Sequence, residues 1–273
     1  IIDSIGTNTA IAQGTGGSNN LPQPSSDTSP TSFTNTNSKN FDGTDDYIST
    51  TNQYVNPQTY SISLWFKTSS ASGKKLIGFE NAQTGTGSTG YDRMIYMGTD
   101  GKIRFAWYSG VFNTITSTNT LNDNTWHNVV ATQNGGSTQL FIDGVSQGTG
   151  SNAPTTLTGY WRMGSYKLTS WTNASDGYFT GRLDDVRLYS RVLGSSDVTV
   201  IAGGDFYNAS TTVVSSLSVN DLSLSSGIFI PPATLNVSGN FTNTGGTFTH
   251  NSGSVVLNGT DQTVTGNNTF NNF

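Results

Sequence analysis

Cysteine is absent from the 273 residues, which excludes disulfides, thiolate catalysis and cysteine-type zinc sites together. Charge is scarce: Asp, Glu, Lys and Arg make up 11% of the chain, against about 25% in an average soluble domain. Glutamate occurs once, at Glu80, and the strong helix formers are few, which sets the helical classes aside. No apolar run approaches the roughly 18 residues that a membrane-spanning helix needs. Twelve Lys and Arg face 17 Asp and Glu, for a net charge of −5 and a pI near 4.7. No basic stripe is available to displace counterions from phosphate, so a nucleic-acid partner is not expected. The chain opens at Ile1 with neither Met nor a charged-then-apolar leader, and any targeting peptide is expected to have been removed already.

What fills the chain is small and polar. Threonine (42), serine (35) and asparagine (28) supply 105 residues, and with glycine they describe an all-β protein. Every Lys and Arg falls between Lys39 and Arg191, and four of the five Trp lie within 107–171. The chain therefore divides into an N-terminal extension over 1–38, a main domain over 39–203 and a Ser/Thr/Asn-rich tail over 204–273. Residues 14–30, with Pro22, Pro24 and Pro30, have the composition of a linker.

Inside the main domain, residues 60–66 alternate apolar and polar. Residues 91–97 and 102–108 read as a hairpin around Gly98-Thr99-Asp100-Gly101. Residues 126–132 and 138–142 flank Asn134-Gly135-Gly136, and Asp143-Gly144 makes the next turn. This spacing predicts an antiparallel sandwich. One helical turn is expected after Leu193, with Ser195 as N-cap and Val198 and Ile201 facing inward. In the tail, the fragments at 242–248 (TNTGGTF) and 265–270 (TGNNTF) form a degenerate repeat at roughly 20 residues. That period fits a solenoid-like β-repeat or stacked hairpins, with a disordered polar linker as the alternative.

The order of motifs is informative. Asn40-Phe41-Asp42-Gly43-Thr44-Asp45-Asp46-Tyr47-Ile48 opens the domain, followed by the strand at 60–66. Asn124-Thr125-Trp126-His127-Asn128-Val129-Val130, Leu140-Phe141-Ile142-Asp143-Gly144 and the segment 181–189 (GRLDDVRLY) come after it. Taken together, these resemble the laminin-G-like, concanavalin A-like jelly-roll domains of bacterial surface proteins. The resemblance implies a jelly-roll sandwich of two curved antiparallel sheets, extracellular or cell-surface placement, and a role in binding sugars or surfaces.

Some members of that fold superfamily are glycanases, which need two carboxylates flanking the bond. Here Glu80 stands alone, and Asp184 and Asp185 are strand neighbours that point to opposite faces, so no enzyme is expected. The Gly85–Gly90 match to G-x-G-x-x-G precedes a strand and opens no helix, so it reads as a loop. Asp42, Asp45 and Asp46 share one turn-rich stretch. If the first and last strands are neighbours, as the resemblance implies, Asp184 and Asp185 join them around a structural Ca²⁺; neutralisation by Arg182 and Arg187 is the competing explanation. For sugar binding, the candidates are Tyr91, Arg93, Tyr108, Trp161, Arg162, Tyr166, Trp171 and Asn173, with core packing the alternative for each ring.

Two functions from different classes fit these residues. One is a non-catalytic carbohydrate- or surface-binding adhesion module whose partner is a glycan or cell-surface polymer. The other is a structural subunit of an extracellular fibre or surface layer. It would self-assemble through the uncharged termini at 1–5 and 9–12, adding as strands to a neighbour's sheet edge.

Overall fold

The computed structural model describes residues 9–14, 21–204, 216–250 and 252–271. The chain forms two compact units, 1–207 and 208–273. In the first unit the strands are β1 (Ala10–Gln13), β2 (Gln23–Ser25), β3 (Ser38–Asp42), β4 (Tyr47–Thr50), β5 (Tyr54–Val55), β6 (Thr59–Lys67), β7 (Lys75–Glu80) and β8 (Tyr91–Met97). They continue with β9 (Ile103–Tyr108), β10 (Phe112–Thr116), β11 (His127–Asn134), β12 (Ser137–Ile142), β13 (Val145–Gly150), β14 (Thr158–Met163) and β15 (Thr180–Tyr189), and then helix α1 (Ser195–Ala202).

These strands make two antiparallel sheets. The first runs β1-β4-β14-β7-β8-β9-β10, with β5 also on β14, and the second runs β13-β12-β11-β6-β15-β3-β2. Alternation explains how they stack. Ile62, Leu64 and Phe66 of β6, with Val129 and Ala131 of β11, meet Ile95, Phe105, Trp107 and Trp161 of the first sheet in one buried cluster. The intervening Ser61, Ser63 and Trp65 turn to the other face of the second sheet. There the Ser61 hydroxyl accepts from the Leu193 N–H at 2.9 Å, and the buried Val198 and Ile201 of α1 lie C-terminal to it. The helix cap is Gly194 in place of the expected Ser195. Asp197 reaches back to accept the Gly194 N–H at 2.9 Å, a bond that leaves Ser195 free to be the first helical residue.

Two expectations for the N-terminal region do not hold. Far from being a linker, residues 23–25 pair with β3, and Asp27 binds Lys67 at 2.9 Å, Arg182 at 3.1 Å and the Trp126 indole at 2.9 Å. Prolines are tolerated here because β2 is an edge strand. Residues 10–13 add to β4 of their own sheet, so the strand considered for exchange between molecules is consumed within the chain. Residues 1–5 lie outside the described residues.

The second unit holds β16 (Ser216–Val219), β17 (Leu222–Leu224), β18 (Ile228–Phe229), β19 (Thr234–Val237), β20 (Phe241–Asn243), β21 (Thr247–Phe248), β22 (Ser254–Leu257) and β23 (Val264–Thr265). Their pairing is parallel throughout: β16-β19-β22, β17-β20-β23 and β18-β21. Hairpins are therefore not the arrangement. Leu235, Val237, Phe241, Phe248 and Val255 form the core, and Phe248 and Phe270, which end the two repeat fragments, pack with ring centroids 5.4 Å apart.

Close backbone approach is required at Gly159 of β14, where a methyl group would sit 2.1 Å from the Glu80 carbonyl oxygen. Backbone cannot yield as a side-chain tip can. Gly159→Ala is expected to destabilise the first unit by about 1–3 kcal/mol, read as a lower urea midpoint at unchanged slope.

Candidate functional site

Three outward residues of β8 and β9 are not open to solvent. Met94, Tyr96 and Ala106 are covered by Leu168 and Trp171 from the segment 164–179, which forms a second apolar cluster on that face. The Tyr96 hydroxyl donates to the Thr172 carbonyl at 2.7 Å, and Asn173 bonds Asp100 through its side chain at 3.0 Å. Asp176 ties the segment to itself by accepting from the Leu168 N–H at 2.7 Å and from Lys167 at 2.8 Å. Residues 164–179 thus act as a cap.

Beneath this cap lies the chain's single glutamate. Glu80 is fully buried and accepts from Lys75 at 2.6 Å, Ser88 at 2.6 Å, Arg162 at 2.7 Å and Ser165 at 2.5 Å. Ser88 belongs to the glycine-rich loop and Ser165 to the cap, so one carboxylate holds both against the sheet. Arg162 also stacks over the Tyr47 ring, 4.5 Å from its centroid, and donates to the Gly85 carbonyl.

Four of the predicted glycan contacts are therefore placed where no sugar reaches. Arg162 belongs to the Glu80 network. Trp161 lies in the main core between the Tyr60 and Phe79 rings. Trp171 is buried in the cap. Arg93, at φ +47°, turns back to bond the Pro57 and Thr155 carbonyls. Of the others, Tyr91 is half-buried with its hydroxyl on the Thr169 carbonyl at 3.1 Å. Tyr166 is half-buried against Tyr178, and Asn173 is exposed.

Tyr108 is different. It lies opposite Phe112 in the β9–β10 register, with ring centroids 5.2 Å apart, and Trp171 meets Phe112 edge-on at 4.8 Å. Tyr108 is 36% exposed, Phe112 54% and Val111 59%. This makes a ledge of open rings stiffened from behind by a buried one. Phe112 was not among the sequence candidates. The signal was present: it follows Ser109-Gly110-Val111, and cross-strand pairing sends it to the face of Tyr108.

The acidic residues separate into two groups. Oxygens of Asp42, Asp45 and Asp46 lie within 4.8 Å of one another. Burial, with the nearby Asp42 and Asp45 charges, pushes the Asp46 carboxyl up, against the Asp42 N–H that it accepts. The first and last strands do pair, but Asp42 faces Thr180, which leaves Asp184 four residues, about 13 Å, further along β15. Asp184 accepts from the Ser29 N–H, the Ser29 hydroxyl and Asn35, and Asp185 pairs with Arg187 at 2.7 Å. The five-carboxylate junction expected from the sequence does not form.

A laminin-G-type family model, described as the concanavalin A-like lectin/glucanases superfamily, matches residues 42–199. The chain belongs to this superfamily. Among solved structures, domain 4 of AbnA, a GH43 extracellular arabinanase from Geobacillus stearothermophilus in complex with arabinotriose, superposes at a TM-score of 0.52. It is 20% identical, over 72% of this chain and 88% of that one. A heptameric SAP-like pentraxin from Limulus polyphemus gives 0.45 at 13% identity over 60% and 80% of the two chains. Domains LG4-5 of the mouse laminin alpha1 chain give 0.41 at 21% over 64% and 44%. No curated protein matches. Among the described residues no helix is long and apolar enough to cross a membrane.

The superfamily takes in glucanases as well as lectins, so the acid–base groups of this chain matter. A general acid needs a raised pKa and access to substrate. Burial would raise Glu80, but Lys75, Arg162 and its hydrogen bonds outweigh that and hold it below its ordinary range. Asp92 is pushed up to about 6 by burial, yet it is 3% exposed and tied to Arg93. His127 borders a cavity of about 480 Å³ that Asp123 and Asp143 also line. Its Nδ1 lies 2.7 Å from Asp143, while its Nε2 lies 3.2 Å from both Asp123 oxygens and 3.0 Å from the Thr125 hydroxyl. That outline resembles a Thr-His-Asp triad, but the Asp123 carboxylate sits on the nitrogen that would have to take the proton. The Thr125 hydroxyl itself lies 2.7 Å from Asp123, to which it donates.

The Asp143 hydrogen bond, opposed by burial and assisted by Asp143 and Asp123 charge, raises the His127 pKa above its ordinary 6.5. A raised folded-state value stabilises fully below the unfolded pKa and is lost as pH rises through the folded one. The stability difference between wild type and His127→Gln is therefore expected to be largest below pH 6.5 and to shrink above it, in urea melts taken from about pH 5.5 to 9.

Proposed function

We infer that the first unit is a non-catalytic carbohydrate-binding, adhesion-type module of a bacterial surface protein, acting outside the cell. The exposed Tyr108–Phe112 ledge, braced by buried Trp171, carries the reading. Open rings held rigid against a sheet suit the apolar face of a sugar at little entropic cost. The ledge itself is uncharged, which favours a neutral glycan over an acidic one. Membership of a superfamily that takes in lectins, and a fold shared with an arabinanase domain held with arabinotriose, support the same class of ligand.

The parallel pairing of the second unit at intervals near 20 residues favours a solenoid-like stalk over a flexible linker. Self-assembly through the N-terminal strand is disfavoured, because β1 is already paired.

Affinity electrophoresis in gels containing arabinan, xylan or mixed-linkage glucan provides the test. Wild type is expected to be retarded by at least one of them, and Tyr108→Ala/Phe112→Ala to lose about tenfold or more in affinity at unchanged circular dichroism. No retardation on any neutral polysaccharide, or equal retardation of the variant, overturns the reading.

A further inference from the structure

Tyr108 ends β9, and the ladder between β8 and β9 stops short of it. The two strands stay in register from Met97 opposite Ile103 to Met94 opposite Ala106. The next residue of β8, Arg93, takes φ +47°, a left-handed backbone that a long side chain keeps only where its surroundings enforce it. The same register would set Tyr108 opposite Asp92, where the two residues would exchange main-chain bonds. With the ladder broken, the N–H and carbonyl of Tyr108 need other partners.

Those partners trace to one buried ion pair. Thr155, in the connection between β13 and β14, donates its N–H to the Tyr108 carbonyl at 2.8 Å. The Thr155 carbonyl accepts from Arg93 Nη2 at 2.7 Å. Arg93 Nη1 donates to Asp92 Oδ1 at 2.5 Å, and the Asp92 carboxylate accepts the Tyr108 N–H in turn. The chain of bonds thus runs from Tyr108 through Thr155, Arg93 and Asp92 back to Tyr108. Arg93 is also fixed from its far side, by the Pro57 carbonyl at 3.0 Å and Asn56 Oδ1 at 2.9 Å. Both members of the pair are buried, so neither touches a ligand and water does not compete for these bonds.

We propose that Asp92 and Arg93 are positioning residues of the ledge: the pair holds the Tyr108 backbone where its ring lies beside Phe112, and neutralising Asp92 slackens that hold. This rests on the ledge being the glycan-binding surface. Trp171 braces the Phe112 ring, whereas the ion pair fixes the main chain from which Tyr108 projects. The groups that face Asp92 are Arg93 on its own strand, Lys75 on β7 and Tyr60 on β6. Burial outweighs the Arg93 and Lys75 charges and pushes the Asp92 carboxyl up to about 6, so mild acid protonates it. A charge-assisted hydrogen bond is about twice as strong as a neutral one, and its loss corresponds to about a fivefold change in affinity. Because the folded-state value lies above the ordinary carboxylate range, Asp92 adds stability as pH falls through 6. Protonating this group therefore loosens the ledge without loosening the fold.

The test measures two things on the intact protein at about pH 7.5 and about pH 5. One is affinity for the neutral polysaccharide that retards it, and the other is native-state exchange of the Thr155 amide, corrected for the intrinsic rate. Wild type is expected to bind about fivefold more weakly at the lower pH and to lose a similar factor in Thr155 protection. Asp92→Asn should bind weakly at both values, with no further pH response. His127→Gln, which removes another group titrating near this range, should respond as wild type does. If Asp92→Asn does not fold, the profiles of wild type and His127→Gln decide the matter. Affinity and protection that are equal at both pH values, or a response that survives Asp92→Asn, overturn the proposal. Failure of the ledge reading looks different: no polysaccharide retards the protein at either pH, and Thr155 exchange alone then reports whether the pair holds Tyr108.

Discussion

The architecture of the first unit turns on how two positive charges are kept under cover. Lys75 and Arg162 are both fully buried beside the sheet, a position affordable only because Glu80 lies between them. Removing one member of such a set leaves an uncompensated buried charge, a loss of about 3–5 kcal/mol. The remaining lone pairs of Glu80 are taken by Ser88 and Ser165, so the same carboxylate that balances the charges also closes the glycine-rich loop and the cap. Once the cap is down, the centre of the sheet face is sealed by Leu168 and Trp171, and the rings still available to a ligand are displaced to the β9–β10 hairpin.

This arrangement explains what could and could not be read from the amino acids. Strands such as 60–66, and the hairpins at 98–101 and 134–136, were legible because alternation and turn glycines are local signals. Alternation along β9 likewise sends Ile103, Phe105 and Trp107 to the core and Tyr108 to the outward face. It carried no information about which outward positions a segment from elsewhere in the chain would cover. Arg162 is sealed by residues 82–90 and 164–179, whereas Tyr108 lies at the rim and stays open. Burial of an outward residue is a tertiary fact, and composition is silent on it.

Register set a similar limit. The pairing of the first strand with the last followed from the family resemblance, but the offset of four residues between Thr180 and Asp184 did not, and it is this offset that divides the carboxylates. Asp184 instead secures Ser29 and Asn35, in a region whose three prolines had the look of a linker. Proline content reported a shortage of backbone donors, which an edge strand can tolerate, and said nothing about anchoring side chains such as Asp27. In the second unit the period near 20 residues was visible in the repeated Phe248 and Phe270, while parallel pairing was not, since stacked hairpins and stacked parallel turns share that spacing.

Native-state hydrogen exchange over 164–179, in wild type and in Glu80→Gln, bears most directly on the claim that a single carboxylate holds the cap closed. The Leu168 and Phe179 amides, bonded to Asp176 and to the Gly164 carbonyl, should exchange in wild type only with the opening that also exposes β8 and β9. In Glu80→Gln they should exchange well before those strands do. If wild type already exchanges these amides as rapidly as an unprotected loop, or if the variant leaves their protection equal to that of β8 and β9, the cap is not held by Glu80 and the account fails.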